Sequence, residues 1–203
     1  MAPYPHSVCG VACAWDGGNF IYAAGGGSPD LSAAYKYDIT NNTWTAIAPL
    51  PEAMKYHGGH FCCGKFHVIG GYTTQNAHYA YDPTNNTWTT EAPLPVAVYF
   101  STFSTCGNND YMFSVGGGGG YGIWPATNAV QMYDPATGAW TQETTLPYTF
   151  GVNSADWVGN GMCVSVGGYD GVNNHAEGAK GSGFPGGSAP DLVLAMTPVN
   201  PPI

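Results

Sequence analysis

The chain has 203 residues, with 30 glycines and 16 prolines, and 14% of it is aromatic. That length suffices for one domain with a core, interrupted by many turns. Four lysines, no arginine and a net charge of −9 exclude nucleic acid, anionic membranes and phosphate ligands as natural partners, because little here could neutralise them.

Only 8% of residues are charged, so the surface is built from neutral polar residues, which points to an extracellular or secreted setting, with the cytoplasm as the alternative. No run approaches the ~18 apolar residues of a membrane span. The opening Met1-Ala2-Pro3-Tyr4 has neither a basic region nor an apolar core and is not a signal peptide. A removed leader, a fragment and a non-exported protein all stay open.

In chain order, Met1 to Pro5 resembles the end of an outer strand, comparable to Ala48 to Pro51. Phe20 to Ala24 then reads as a short apolar strand that stops at Gly25-Gly26. Tyr37-Asp38 follows, with Trp44 seven residues after the tyrosine, and then Pro49-Leu50-Pro51. The same order returns with Phe66 to Ile69, Gly70-Gly71, Tyr81-Asp82, Trp88 and Pro93-Leu94-Pro95. It returns again with Tyr111 to Val115, Gly116-Gly117, Tyr133-Asp134, Trp140 and Leu146-Pro147. A fourth copy begins with Met162 to Val166 and Gly167-Gly168 but lacks the tyrosine–tryptophan half. Its Asn173 to Pro190 stretch reads as a long loop, Asp191 to Met196 as a third strand, and the proline-bearing Thr197 to Ile203 as unfit for a fourth.

The spacings between glycine pairs are 45, 46 and 51 residues. Glycine pairs and Tyr-Asp…Trp units held in register three times resemble the kelch repeat, from about residue 3 to about residue 197. The resemblance implies an all-β fold: a β-propeller of four blade-like repeats with an incomplete last blade. A single domain over 1–203 is expected, with repeats at about 6–51, 56–95, 99–147 and 152–203. Because kelch propellers generally have six or seven blades, four leave open a fragment, a ring completed between chains, or a small closed ring.

Cys13, the Cys62-Cys63 pair and Cys106 fall near the ends of successive innermost strands. Adjacent strand residues point to opposite faces. One of the pair is therefore expected to face blade one and the other blade three, in a ladder of inter-blade disulfides. Cys9 and Cys163 would join only if blade four closes on blade one, and Cys163 alternatively serves as a buried apolar residue in the column of Ile21, Phe66 and Met112. Asn41 and Asn85 begin Asn-x-Thr sequons in turns at the blade rim and are glycosylation candidates.

The chain shows no catalytic constellation, no metal signature and no expected cofactor, so it reads as no enzyme. Kelch-related oxidases and isomerases keep a carbohydrate-active enzyme as one alternative. The resemblance places a ligand end at the loops after the glycine pairs and between blades. There stand Tyr56, His57, Tyr72, Tyr99, Phe100, Tyr121, Trp124, Tyr148, Phe150 and Tyr169. Such an aromatic, cation-poor surface suits a protein segment or a neutral carbohydrate. The other alternative is a structural subunit of an extracellular multimer or filament, self-associating through the incomplete terminal blade.

Overall fold

The computed structural model describes residues 1–99, 105–107, 111–118, 126–143, 145–146, 149, 151, 154–159, 162–169, 174–182 and 195–197. These form four antiparallel four-stranded meanders, each in chain order. The first comprises β1 (Ala12–Trp15), β2 (Phe20–Ala24), β3 (Ala34–Asp38) and β4 (Thr43–Ile47). The second comprises β5 (Gly58–Cys62), β6 (Lys65–Ile69), β7 (His78–Asp82) and β8 (Thr87–Thr90). The third comprises β9 (Thr105–Gly107), β10 (Met112–Val115), β11 (Val130–Asp134) and β12 (Ala139–Gln142). The fourth comprises β13 (Ser154–Gly159), β14 (Met162–Tyr169), β15 (Asn174–Ser182) and β16 (Ala195–Thr197). The first strands of the sheets pack in sequence, β1 on β5, β5 on β9 and β9 on β13. This is blade stacking, the architecture of a β-propeller.

Residues on the second strands alternate between the two neighbouring blades. Between blades one and two, Tyr22 stacks on Phe61 (5.5 Å, 18°) and Phe66 (5.8 Å, 25°), within a core that includes Ala24, Leu50, Met54 and Val68. Between blades two and three, Cys62, Ile69, Leu94, Val98, Met112, Tyr133 and Trp140 pack together. His67 and His78 join this junction, with Nδ1 of the first 2.9 Å from Nε2 of the second. Burial pushes His67 down to about 3 and His78 to about 4, so both stay neutral near pH 7. Gln131, fully buried, holds the linker into blade three: its Oε1 accepts from the Val96 N–H (2.7 Å) and its Nε2 donates to the Val96 carbonyl (2.9 Å).

The Tyr-Asp…Trp unit performs two tasks. Its aspartate closes the turn between the third and fourth strands. Asp38 accepts from the Asn41 N–H and side-chain amide (2.9 and 2.8 Å), and Asp82 accepts from the Thr84 N–H and the Asn85 amide (2.8 and 2.7 Å). These bonds hold both carboxyls below the usual carboxylate range, the backbone amide contributing first. In blades one and two its tryptophan, with the asparagine two residues before it, grips the linker that precedes the blade, whereas in blade three Trp140 Nε1 donates to His78 Nδ1 (3.2 Å). Trp88 Nε1 donates to the Ala48 carbonyl (2.7 Å), and Asn86 Oδ1 accepts from the Ala48 N–H (2.9 Å). In blade one, Trp44 and Asn42 hold Ala2 in the same way, at 3.2 and 2.6 Å. The sequence Ala2-Pro3-Tyr4-Pro5 thus occupies the place that Ala48-Pro49-Leu50-Pro51 takes one blade later.

Two expectations need correction. The fourth sheet has four strands, so the last blade is not incomplete. The stretch read as a loop supplies β15, which pairs with β14 from Met162↔Ser182 to Tyr169↔Asn174. Ala195–Thr197 is the outermost strand, against Gly178–Lys180. Glycines and alanines gave β15 a loop-like composition, but a ladder is made by backbone groups that every residue carries.

The disulfide ladder is also absent among the described residues: Cys9, Cys13, Cys62 and Cys63 carry thiols. Cys13 lies beside Gly59, where an added Cβ would come within 2.8 Å of the Cys13 nitrogen. Three residues of strand, about 10 Å, separate that point from Cys62, beyond the about 7 Å that a disulfide spans between Cα atoms. Cys62 faces blade three, as one member of the pair was expected to. Cys63 occupies the following turn with φ +50° and lines a cleft with Glu91 and Tyr133, between blades two and three. The side chains of Cys106 and Cys163 lie outside the described residues.

Candidate functional site at the glycine-pair end

All four glycine pairs adopt positive φ at both residues, from Gly25 and Gly26 (69° and 106°) to Gly167 and Gly168 (62° and 133°). This region is open to glycine and strained for other residues. Space is short as well. A Cβ on Gly71 would lie 3.1 Å from both the Lys55 carbonyl and His57 Cβ. The reason is the path of the inter-blade linker, which threads between successive pairs. The Gly26 N–H donates to the Met54 carbonyl (2.8 Å), and the Tyr72 N–H to the Lys55 carbonyl (2.9 Å). One blade later the Gly71 N–H donates to Val98 (3.1 Å) and the Gly118 N–H to Tyr99. By this register Lys55 and Tyr99 are equivalent positions.

The linkers and post-glycine loops bring six described side chains together. Lys55 Nζ pairs with Asp30 Oδ1 at 2.7 Å and lies 4.6 Å from the centre of the Tyr72 ring. Tyr72 contacts Tyr99 (5.2 Å, 53°), and Tyr99 contacts Tyr56 (6.3 Å, 58°). The Tyr56 hydroxyl lies 3.5 Å from Cys9 Sγ. The Asp30 hydrogen bond raises the Lys55 pKa, so the ammonium stays charged. Tyr99 is 5% exposed and Tyr72 40% exposed. Tyr72 is therefore an accessible ring whose position is set by a buried ring and a paired cation. Such an anchor loses little side-chain freedom when another surface stacks on it.

Of the expected ligand-facing residues, the structure groups Tyr56, Tyr72 and Tyr99. His57 is corrected to a packing residue: it is fully buried, with Nε2 2.9 Å from the Ala24 carbonyl, and burial pushes its pKa down to about 4. Tyr169 pairs through its backbone with Gly151 (2.7 and 2.8 Å). Phe100, Tyr121, Trp124, Tyr148 and Phe150 lie outside the described residues. Asn41 and Asn85 are exposed, each donating its amide to the turn aspartate. Sequence reasoning missed Lys55 and Asp30, and read Cys9 only as a disulfide candidate. Extending the glycine-pair register into the linkers would have exposed Lys55 as the counterpart of Tyr99.

A cleft with a cavity of about 240 Å³ lies elsewhere, between blades two and three, lined by Cys63, Lys65, His67, Glu91 and Tyr133 among others. Among the described residues no three His, Cys, Asp or Glu side chains are placed to hold a metal ion.

The family model described as Kelch motif matches residues 18–51 and 100–147. Kelch-like protein 35 of Mus musculus is 45% identical over 53 residues, 25% of this chain and 9% of the relative. An F-box/kelch-repeat protein of Arabidopsis thaliana is 36% identical over 67 residues, 32% of this chain and 19% of the relative. Kelch-like protein 21 of Danio rerio is 30% identical over 77 residues, 37% of this chain and 13% of the relative. The matches thus span less than a fifth of each of these curated relatives. Among solved structures, that of YjhT superposes with a TM-score of 0.76 at 18% identity, over 100% of this chain and 69% of YjhT, a likeness of fold. The motif matches coincide with blades one and three, whose glycine pairs and turn aspartates act as described above, and the chain carries kelch repeats.

Proposed function

We propose that this protein is a non-catalytic binding module that engages another protein through the glycine-pair end of its propeller. The observation that carries the reading is Tyr72, an exposed ring held between the Lys55 ammonium and the buried Tyr99. Exposed aromatics on rigid supports are the residues that dominate protein interfaces. The one cation of the cluster is already neutralised by Asp30, so the segment it suits is neutral and apolar rather than acidic. The kelch-like relatives support a protein partner. The low charge content supports an extracellular setting as part of this proposal.

The test is quantitative affinity capture from the native source, comparing wild type with Tyr72→Ala and with a control substitution at the exposed Ile39. A protein partner retained by wild type and by the control, but weakened at least about tenfold by Tyr72→Ala, supports the reading. A partner held equally by all three refutes it. Selective retention of a neutral oligosaccharide would transfer the site to carbohydrate binding.

A further inference from the structure

The junction between blades two and three departs from the junction before it at four equivalent positions. By the strand registers, Phe20, Tyr22, Ala34 and Ile47 of blade one correspond to Lys65, His67, His78 and Glu91 of blade two. The four side chains of blade one belong to the packed junction between blades one and two. Three of their polar counterparts border open space instead. Lys65, His67 and Glu91, with Cys63, Tyr133 and Pro135, line the cavity of about 240 Å³. β6 starts at Lys65 and leads to the Gly70-Gly71 pair, so this cleft lies toward the end of the blade away from Tyr72.

A chain of hydrogen bonds sets what the cleft offers. An indole N–H can only donate, so the Trp140 Nε1–H, 3.2 Å from His78 Nδ1, makes that nitrogen an acceptor. The Ala92 carbonyl lies 3.3 Å from the same nitrogen, but a proton placed there to serve it would face the indole N–H. The neutral His78 ring therefore carries its proton on Nε2 and donates to His67 Nδ1 at 2.9 Å. His67 in turn carries its proton on Nε2, and that atom is buried without a partner on a residue 2% exposed. A buried donor left unmet costs free energy, and the cleft gives a partner room to meet it. The Glu91 carboxylate beside it is only partly used. Its Oε1 accepts from Thr89 Oγ1 at 2.8 Å, and its Oε2 accepts loosely from the Tyr133 hydroxyl at 3.4 Å. Lys65 Nζ, 4.0 Å from Glu91 Oε1, balances its charge.

We propose that this cleft binds a small carboxamide, whose carbonyl oxygen accepts from the His67 Nε2–H and whose amide N–H donates to Glu91. An uncharged ligand fits because His67 is neutral and Lys65 offsets Glu91, so a net charge would enter without a counter-ion. The cavity is smaller than the about 300–1,000 Å³ of drug-sized sites, so the ligand is small. The site goes beyond the proposed function, since it uses no residue of the Tyr72 cluster.

Nuclear magnetic resonance of isotope-labelled protein tests it, with benzamide as the probe. The imidazole nitrogen shifts are expected to show both His67 and His78 protonated on Nε2; a His67 protonated on Nδ1 overturns the proposal. Benzamide is expected to shift the His67 Nε2 resonance saturably at millimolar concentrations or below. Acetophenone, which keeps the carbonyl but lacks the N–H, and benzoate, which adds a charge, are expected to bind at least about tenfold more weakly. His67→Tyr and Glu91→Ile place in blade two the residues that blade one carries at those positions, and each is expected to abolish the binding. Circular dichroism checks their fold, and the part-exposed Glu91 keeps the test sharp where His67→Tyr, which orphans the His78 N–H, fails to fold. Absence of a saturable benzamide shift overturns the proposal. So does equal affinity for acetophenone, or binding that a folded Glu91→Ile leaves unchanged.

Discussion

Gly138 occupies the position at which blades one and two carry Asn42 and Asn86, so blade three lacks the asparagine part of the grip on its incoming linker, and its Trp140 Nε1 donates to His78 Nδ1 (3.2 Å) instead of to the linker. The substitution Gly138→Asn should supply it. The backbone there has φ +68°, close to the 54° of Asn42 and Asn86, and a Cβ added at Gly138 meets nothing within 4 Å. Asparagine is among the residues that tolerate this conformation. Its Oδ1 would accept from the Ala92 N–H, as Asn86 does from Ala48, and such a bond contributes about 1 kcal/mol net. Replacing glycine adds a few tenths of a kcal/mol to about 1 kcal/mol through the unfolded chain. The left-handed conformation offsets part of that gain. The expected outcome is about 1 kcal/mol of stabilisation, a rise in Tm of about 2–4 °C for a domain of this size. The reciprocal Asn86→Gly should lose a similar amount. Asn86→Ala should lose about 1–2 kcal/mol more, because alanine at this φ is strained. Thermal and urea unfolding followed by circular dichroism measure all three. An Asn86→Gly variant with the wild-type Tm, beside a Gly138→Asn variant that gains nothing, would show that the asparagine contributes no stability and would refute the grip.

Removing Gln131 as Gln131→Leu should cost about 2–4 kcal/mol, since it orphans both backbone groups of Val96; urea unfolding reads the loss, and a cost below about 1 kcal/mol contradicts it. Gly71→Ala should cost at least about 2 kcal/mol from strain at φ +117° together with crowding on Lys55 and His57, visible as a lowered urea midpoint. Stability should also depend on pH through His57, His67 and His78, whose folded pKa values lie at about 4, 3 and 4, below the ordinary 6.5. The unfolded chain binds protons first, so stability is fully present above about pH 7 and falls as pH drops from 6.5 toward 3. His78→Gln should flatten that fall in a Tm-against-pH series, and an unchanged slope refutes the assignment. A thiol reagent should modify Cys9 and Cys63 readily in the native protein, Cys13 more slowly because burial pushes its thiol up, and buried Cys62 only once the protein unfolds, as mass spectrometry of the labelled peptides would show.

The blades were legible because their determinants are local and repeated. The second strand of each blade and the glycine pair after it can be read from a few consecutive residues, and β2 has the expected limits. The turn aspartates and the tryptophans six residues after them recur at one fixed spacing. The fourth blade was misread because Asn174–Ser182 contains two glycines and no large apolar side chain, while its pairing with β14 is a property of the backbone. The cysteine ladder depended on how far β1 and β5 are offset along their length, which no residue pattern announces; Gly59 marks the closest approach only once the fold is known. His57 looked like a loop residue because it immediately precedes β5, yet the linker turns inward there and places its ring against Gly25 and Ala24. Tyr56, Tyr72 and Tyr99 were foreseeable as loop aromatics, but their meeting with Lys55 and Asp30 joins linkers and loops from different blades.

The division of labour within the linker explains how one scaffold can carry a specific surface. Met54 and Val98 supply carbonyls to the glycine pairs and bury their side chains, so these positions are constrained by packing from both sides. The next residue, Lys55 or Tyr99, uses its carbonyl the same way, while its side chain differs completely between blades. Backbone hydrogen bonds that ignore side-chain identity therefore hold a series of positions whose side chains are free to differ. In the described blades that series carries a charge at Lys55 and a buried ring at Tyr99, both set against the exposed ring of Tyr72. Replacing Lys55 with alanine should accordingly leave the glycine-pair bonds in place while removing the cation beneath Tyr72. Binding through Tyr72 should weaken more than unfolding stability does. If stability and binding fell together, Lys55 would belong to the scaffold, and the separation of scaffold from surface would fail.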